Sequence, residues 1–200
     1  LQFVNLVLSG KMPRHAALLD SALIGLMKPN GDVRPIAIGE TLYRLVACCA
    51  LAAMGHTGDD LCPLQVGAGT SSGAEAAAHA IKEALARDPM AVLVKLDIRN
   101  AFNLLGRRAI FRAVREACPE LLPFVMWAYG AATDLVVIGA DVDPLKSATG
   151  VRQGDPLSTW LFSQAFQPVL EAVARIVPTV AFVDDGNLEL GLFTGEIGKH

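Results

Sequence analysis

Several features that would place a chain in a familiar class are missing from this one. No apolar run approaches the roughly 20 residues needed to cross a bilayer; the greasiest stretch, residues 42–54, is short and carries Arg44. A soluble protein with no membrane partner is expected. There is no signal-peptide pattern at the amino end, which opens at Leu1 without Met, and no evident structural end at His200, so a piece of a larger polypeptide is expected. Cys48, Cys49, Cys62 and Cys118 lack Cys-x-x-Cys spacing, and His15, His56, His79 and His200 are scattered. Neither a zinc site nor a disulfide framework is indicated, and a reduced, intracellular setting is the default. A basic excess is also lacking: 17 Lys and Arg face 20 Asp and Glu, for a net charge of −3. That balance argues against nucleic acid as a partner, because phosphate binders usually carry a basic excess, unless the basic surface lies largely outside this stretch of chain. Internal repeats and low-complexity segments are absent.

What is present is apolar. Hydrophobic residues make up 52% of the 200 positions and mean hydropathy is +0.42, which excludes disorder and allows one sizeable core or two small lobes. Residues 23–38 read as two strands around a Pro29-Asn30-Gly31-Asp32 turn, with Lys28 and Arg34 near its tip. Residues 40–55 read as a buried helix ending at a glycine, with Cys48 and Cys49 in the core. Residues 58–69 read as loop. "GAGTSSG" in residues 67–73 resembles a phosphate-cradling loop but lacks the Gly-Lys-Ser/Thr ending, so it is read as structural. Ser72 and Glu75 have the spacing of a capping box opening a helix to about Arg87.

"AVLVKLDI" in residues 91–98 reads as a buried strand with Asp97 near its end. Helices are expected at 107–117 and 121–129, and a hairpin from 133–139 and 145–150. Asp155 and Pro156 have the order of an N-cap and first helical residue, opening a helix to about Val177. The next strand ends in "AFVDDG", with a turn at the Asp pair and a return strand from Asn187 to Leu190. This irregular mixture implies an α+β fold with a small antiparallel sheet.

Asp97, Asp184 and Asp185 each follow an apolar strand, so neighbouring strands would bring three carboxylates together. Like charges at such distances need protonation or cations, and hard oxygen donors favour magnesium. Taken singly, an Asp-Asp-Gly is an ordinary solvated turn. The decisive element is "TGVRQGDPLS" in residues 149–158, where Arg152, Gln153 and two glycines precede a helix start. A helix N-terminus there would direct backbone N–H groups outward, Gly154 would admit close approach of another molecule, and Gln153 offers both a donor and an acceptor.

Four segments then occur in the order found in reverse transcriptases, particularly those of non-LTR retrotransposons: "KPNGDVRPIAIGETLYRL", "KLDIRNAFN", "GVRQGDPLS" and "AFVDDG". The resemblance covers most of the chain. It implies a right-hand polymerase lacking its thumb: fingers elements over residues 1–92, a palm strand with the first catalytic Asp over 93–106, connecting helices and a hairpin over 107–148, and palm with the Asp-Asp hairpin over 149–200. By the same resemblance, Asp97, Asp184 and Asp185 would be catalytic and hold two Mg2+ ions, with Mn2+ a possible substitute, and the Ile98 carbonyl would be a further ligand.

Arg34 would grip the nucleotide triphosphate with help from Lys28, and the amides of Asn100 and Ala101 would hold its phosphates. Phe102 would pack under the sugar and reject a 2′-hydroxyl, while Gln153 and Gly154 would lie beside the incoming nucleotide. RNA template, DNA primer and deoxynucleoside triphosphates are the implied partners, in a nuclear or cytoplasmic ribonucleoprotein. An inactive or domesticated RNA-binding remnant is the alternative. Val183, Asn103 and Thr159 depart from the commonest family pattern without removing a metal ligand.

Overall fold

The computed structural model describes residues 1–29, 31–55, 59–88 and 90–190, apart from the side chains of Asp59, Asp97 and residues 185–190. The chain runs through α1 (Gln2–Leu8), α2 (Ala16–Leu19), β1 (Ser21–Met27), β2 (Val33–Gly39), α3 (Thr41–Met54) and α4 (Gly73–Arg87). It continues through β3 (Val92–Asp97), α5 (Ala101–Leu104), α6 (Arg107–Ala117), α7 (Leu122–Tyr129), β4 (Thr133–Val137) and β5 (Leu145–Ser147). It closes with α8 (Ser158–Ala174), β6 (Thr179–Phe182) and β7 (Asp185–Leu190). These elements form two compact units, residues 1–55 with 100–165 and residues 56–99 with 166–200.

The first unit is built on a four-stranded sheet in the order β2-β1-β4-β5. β1 and β2 are the expected antiparallel hairpin, with Leu26 opposite Arg34; β4 and β5 are the second, with Thr133 opposite Ser147. The two hairpins are joined by a parallel pairing of β1 with β4. Parallel neighbours need a long crossover, here supplied by most of the chain between them, so no local turn signal announces the pairing. α3 buries Tyr43, Val46, Ala47 and Ala50, one stripe at helical spacing. That stripe leaves Cys48 and Cys49 exposed, correcting their expected place in the core. α7 buries Phe124, Val125, Trp127, Ala128 and Tyr129, and Tyr43, Phe124 and Trp127 form an aromatic cluster with ring centroids 5.8–6.3 Å apart.

In the second unit, β6 and β7 form a hairpin and β3 joins antiparallel to β7, in the order β3-β7-β6. α4 lies against this sheet, with Ala80, Ile81 and Leu85 facing Leu93 and Val180 across a small apolar cavity. β3 is an edge strand, and Val92, Leu93 and Leu96 are exposed, so the expected burial of the "AVLVKLDI" run is not met. The helix after Ser72 has the expected span, but Ser72 is left-handed and makes no side-chain cap. A capping side chain needs an extended residue at that position, which φ +52° does not provide. The 58–69 segment contains a 3-10 turn at Asp59–Leu61, and Gln65 bridges in parallel to Ala181.

Candidate active site

The acidic residues meet in the second unit. β6 ends at Phe182, Val183 and Asp184 make the turn, and β7 starts at Asp185. Phe182 pairs with Asp185 on one side, and Asp97 pairs with Asp185 on the other. Facing residues of antiparallel strands have Cα atoms about 4.5–5.5 Å apart. Asp97 thus stands opposite the first residue of the return strand, with Asp184 adjacent in the turn and Ile98 directly after β3. The turn lies one residue earlier than the sequence suggested, at Val183-Asp184, and the return strand begins at Asp185. The side chains of Asp97 and Asp185 lie outside the described residues; Asp184 is half-buried.

Val183 has φ +58°, a left-handed conformation that costs a β-branched residue about 1–3 kcal/mol unless its surroundings impose it. Those surroundings include Gln65, a fully buried side chain whose amide reaches the Val183 backbone. Nothing in the local pattern singled out Gln65, because it lies in a stretch without strand or helix periodicity.

The other candidates belong to the first unit. Lys28 and Arg34 are exposed at the tip of the β1–β2 hairpin. Arg34 is opposite Leu26 in the hairpin, and Lys28 directly follows β1, its N–H donating to the Asp32 carbonyl at 2.7 Å. Asn100 is exposed and left-handed at φ +54°, and its carbonyl accepts from the Asn103 and Leu104 amides as α5 begins. Ala101 is buried.

Phe102 is half-buried, its ring stacked on that of Phe162 with centroids 4.8 Å apart and planes 16° apart. The backbone beneath it is strapped down: Val151 N–H donates to the Phe102 carbonyl at 2.8 Å and Gly150 N–H to Leu105 at 2.9 Å. Gly150 has φ +61°, and a side chain there would run into the Phe102 and Asn103 carbonyls. Its neighbour along the motif, Gln153, is half-buried, and its carbonyl accepts from Ala37 N–H on β2 at 2.7 Å. Gly154 has φ +112°, and an added Cβ would lie 2.7 Å from the Ala37 oxygen. The chain's own β2 thus packs closely against Gly154. This contact ties the Gln153 loop to the strand that bears Arg34.

Arg152 and Asp155 depart further from expectation. α8 begins at Ser158, not Asp155. Asp155 Oδ1 caps a preceding turn by accepting from Leu157 N–H at 2.9 Å. Its Oδ2 accepts from the hydroxyls of Tyr43 and Tyr129 and from Arg152 Nη2 at 3.2 Å. Arg152 points inward, also donating through Nη1 to the Leu19 carbonyl at 2.6 Å, and its guanidinium sits 4.8 and 5.0 Å from the Tyr43 and Tyr129 ring centres. Burial, then the Asp155 charge, raises the pKa of both hydroxyls above the usual tyrosine value. Burial disfavours the Arg152 charge, but Tyr129, Tyr43 and Asp155 outweigh it and hold its pKa above the ordinary arginine value. The motif's charged pair is thus an internal brace.

Comparison with known proteins gives this arrangement a family. The profile of the reverse transcriptase (RNA-dependent DNA polymerase) family matches residues 26–189, a stretch that contains every candidate position above. The chain belongs to the reverse transcriptase family. It is 37% identical over 101 residues to a Retrovirus-related Pol polyprotein from type-1 retrotransposable element R2 of Nasonia vitripennis, covering 49% of this chain and 10% of that one. It is 30% identical over 173 residues to the Retrotransposable element SLACS 132 kDa protein of Trypanosoma brucei gambiense, covering 82% of this chain and 14% of that one. This reverse transcriptase chain therefore spans about a tenth to a seventh of those relatives.

Among solved structures, apo telomerase from Candida tropicalis, truncated from its C-terminal domain, superposes with TM-score 0.62 at 10% identity, over 88% of this chain and 44% of that one. Telomerase from Candida albicans in complex with a TWJ fragment of telomeric RNA gives TM-score 0.62 at 14% identity, over 86% of this chain and 38% of that one. At such identities the likeness is one of fold. It identifies the α+β arrangement of this reverse transcriptase chain as polymerase fingers and palm.

Proposed function

We propose that the chain is the fingers-palm portion of a retrotransposon-encoded RNA-directed DNA polymerase that extends a DNA primer along an RNA template. The observation that carries this reading is the register that sets Asp97 opposite Asp185 with Asp184 in the adjoining turn. Three carboxylate residues gathered at one end of a sheet form an all-oxygen donor set, which fits hard divalent cations. Asp97, Asp184 and Asp185 would hold two Mg2+ ions, or Mn2+ in their place, with the Ile98 carbonyl as a further ligand. When bound, such ions raise the acidity of a primer 3′-hydroxyl and stabilise charge on departing pyrophosphate.

The chain's other residues bind and align. Arg34 grips the triphosphate with help from Lys28 near the hairpin tip, and the amides of Asn100 and Ala101 hold phosphate oxygens. Phe102, backed by Phe162, presents a flat surface to the deoxyribose and leaves no room for a 2′-hydroxyl. Gln153 contacts the incoming nucleotide, and Gly154 lets its loop seat on β2. Residues 1–92 and 107–148 serve as fingers and connecting elements, and residues 93–106 and 149–200 as palm.

The experiment is magnesium-dependent primer extension on an RNA template by the chain together with its flanking polypeptide. Incorporation of deoxynucleotides that disappears in Asp97→Asn and Asp184→Asn supports the reading. RNA binding without any extension by the unaltered protein would instead identify a non-catalytic remnant.

A further inference from the structure

The turn that presents Asp184 is held from outside its own hairpin. Val183 N–H donates to Gln65 Oε1 at 2.7 Å, and Gln65 Nε2 donates to the Val183 carbonyl at 2.9 Å. One side-chain amide therefore satisfies both backbone groups of the left-handed residue, as a neighbouring strand would satisfy those of a strand residue. Oε1 also accepts from Gly67 N–H at 3.0 Å. Two N–H donors converging on one end, and a carbonyl on the other, fix which way the Gln65 amide faces.

The clamp is itself anchored. Gln65 is 0% exposed, and its N–H donates to the Leu61 carbonyl at 2.9 Å. On either side, Ala181 N–H donates to Leu64 at 2.7 Å and Val66 N–H to Ala181 at 2.9 Å, joining this segment to β6. The approach is close enough that a Cβ on Gly67 would lie 2.5 Å from Val183 N and 3.0 Å from the Phe182 carbonyl carbon.

We propose that Gln65 is a positioning residue for the acidic turn: its amide imposes the left-handed conformation of Val183 and so fixes the direction in which Asp184 leaves the turn. The consequence for metal binding rests on the polymerase reading above; the consequence for the turn rests on these hydrogen bonds alone. A glutamine that merely satisfies core polarity would be interchangeable with an apolar side chain of like volume, without change at Asp184.

The test uses Gln65→Met, similar in size without amide groups, and Gln65→Asn, the same amide one methylene shorter, with flanking polypeptide retained. Hydrogen exchange at the Val183 amide should quicken about tenfold, as loss of a buried hydrogen bond implies, with that at Ala181 unchanged. Mn2+ affinity, read by electron paramagnetic resonance without turnover, should fall about tenfold, the usual scale for loss of a partner that orients a metal ligand. The Mg2+ needed for half-maximal extension should rise with it, leaving the nucleotide KM near its original value. A folded Gln65→Met protein with unchanged Val183 exchange overturns the proposal, as does faster exchange with unchanged Mn2+ affinity. If Gln65→Met does not fold, Gln65→Asn carries the same criteria. A parent protein that binds no Mn2+ and extends no primer defeats the polymerase reading instead, and Val183 exchange then decides the clamp by itself.

Discussion

Asp155 and the Asp97–Asp184–Asp185 group are aspartates placed by different means. Asp155 is enclosed with the Arg152 guanidinium and two tyrosine hydroxyls, so its charge is answered within the first unit. The acidic turn of the second unit brings acid next to acid by strand register. A carboxylate surrounded by its own donors is committed to holding the fold. Carboxylates gathered together repel and favour a bound cation. Adjacent family motifs thus contain aspartates in two settings, one enclosed by hydrogen-bond donors and one set beside other aspartates by strand register.

The largest expected effect is on turnover. Asp184→Asn should lower primer extension roughly a thousandfold, the loss expected when several kcal/mol of metal-borne charge stabilisation disappears. Asparagine matches aspartate in size and shape, so the variant should stay folded. A variant that unfolds more readily while keeping its rate would erase the contrast with Asp155.

The second effect has the reverse signature. Asp155→Ala leaves Arg152 buried without its carboxylate and should cost about 3–5 kcal/mol of folding stability in urea titration. Because Asp155 touches no proposed substrate group, the rate per folded molecule should change little. A loss of rate without a loss of stability would move Asp155 into the catalytic group.

Phe102→Val sharpens the comparison within the first unit. Its ring is half-buried on Phe162, so substitution should cost about 0.5–1.5 kcal/mol from the stack in addition to lost burial. Competition between ribo- and deoxynucleotides should show greater ribonucleotide use. Unchanged selectivity would reduce Phe102 to a packing residue.

The smallest effect is one of pH. Tyr43 and Tyr129 have folded pKa values above the unfolded value near 10, so their contribution is complete below about pH 10 and is lost as pH rises further. Stability from this network should therefore be flat between about pH 7 and 9 and decline in strong alkali. A Tyr43→Phe variant should show a shallower decline.

The same contrast explains what the sequence revealed. The β1–β2 hairpin and the 107–117 helix were legible because turn residues and apolar spacing act locally. The neighbouring of Asp97 with the Asp184–Asp185 turn was legible because each follows an apolar run and the four motifs keep the family's order. Gln65, the β1–β4 pairing and the inward turn of Arg152 were not, because each depends on a partner more than a hundred residues away. Cys48 and Cys49 were misplaced by hydrophobicity without helical phase. Asp155 was expected to cap α8, which begins three residues later; it accepts instead from Leu157 N–H in the preceding turn, and its burial among tyrosines leaves no local mark.

The central claim is that Asp97 and the Asp184–Asp185 turn form one cation site. It is tested most directly by counting Mn2+ ions bound, using electron paramagnetic resonance, with template, primer and a non-hydrolysable deoxynucleotide present. Two ions per chain in the parent protein, with affinity weakened alike by Asp97→Asn and Asp184→Asn, is the predicted result. Binding that ignores either substitution would contradict it.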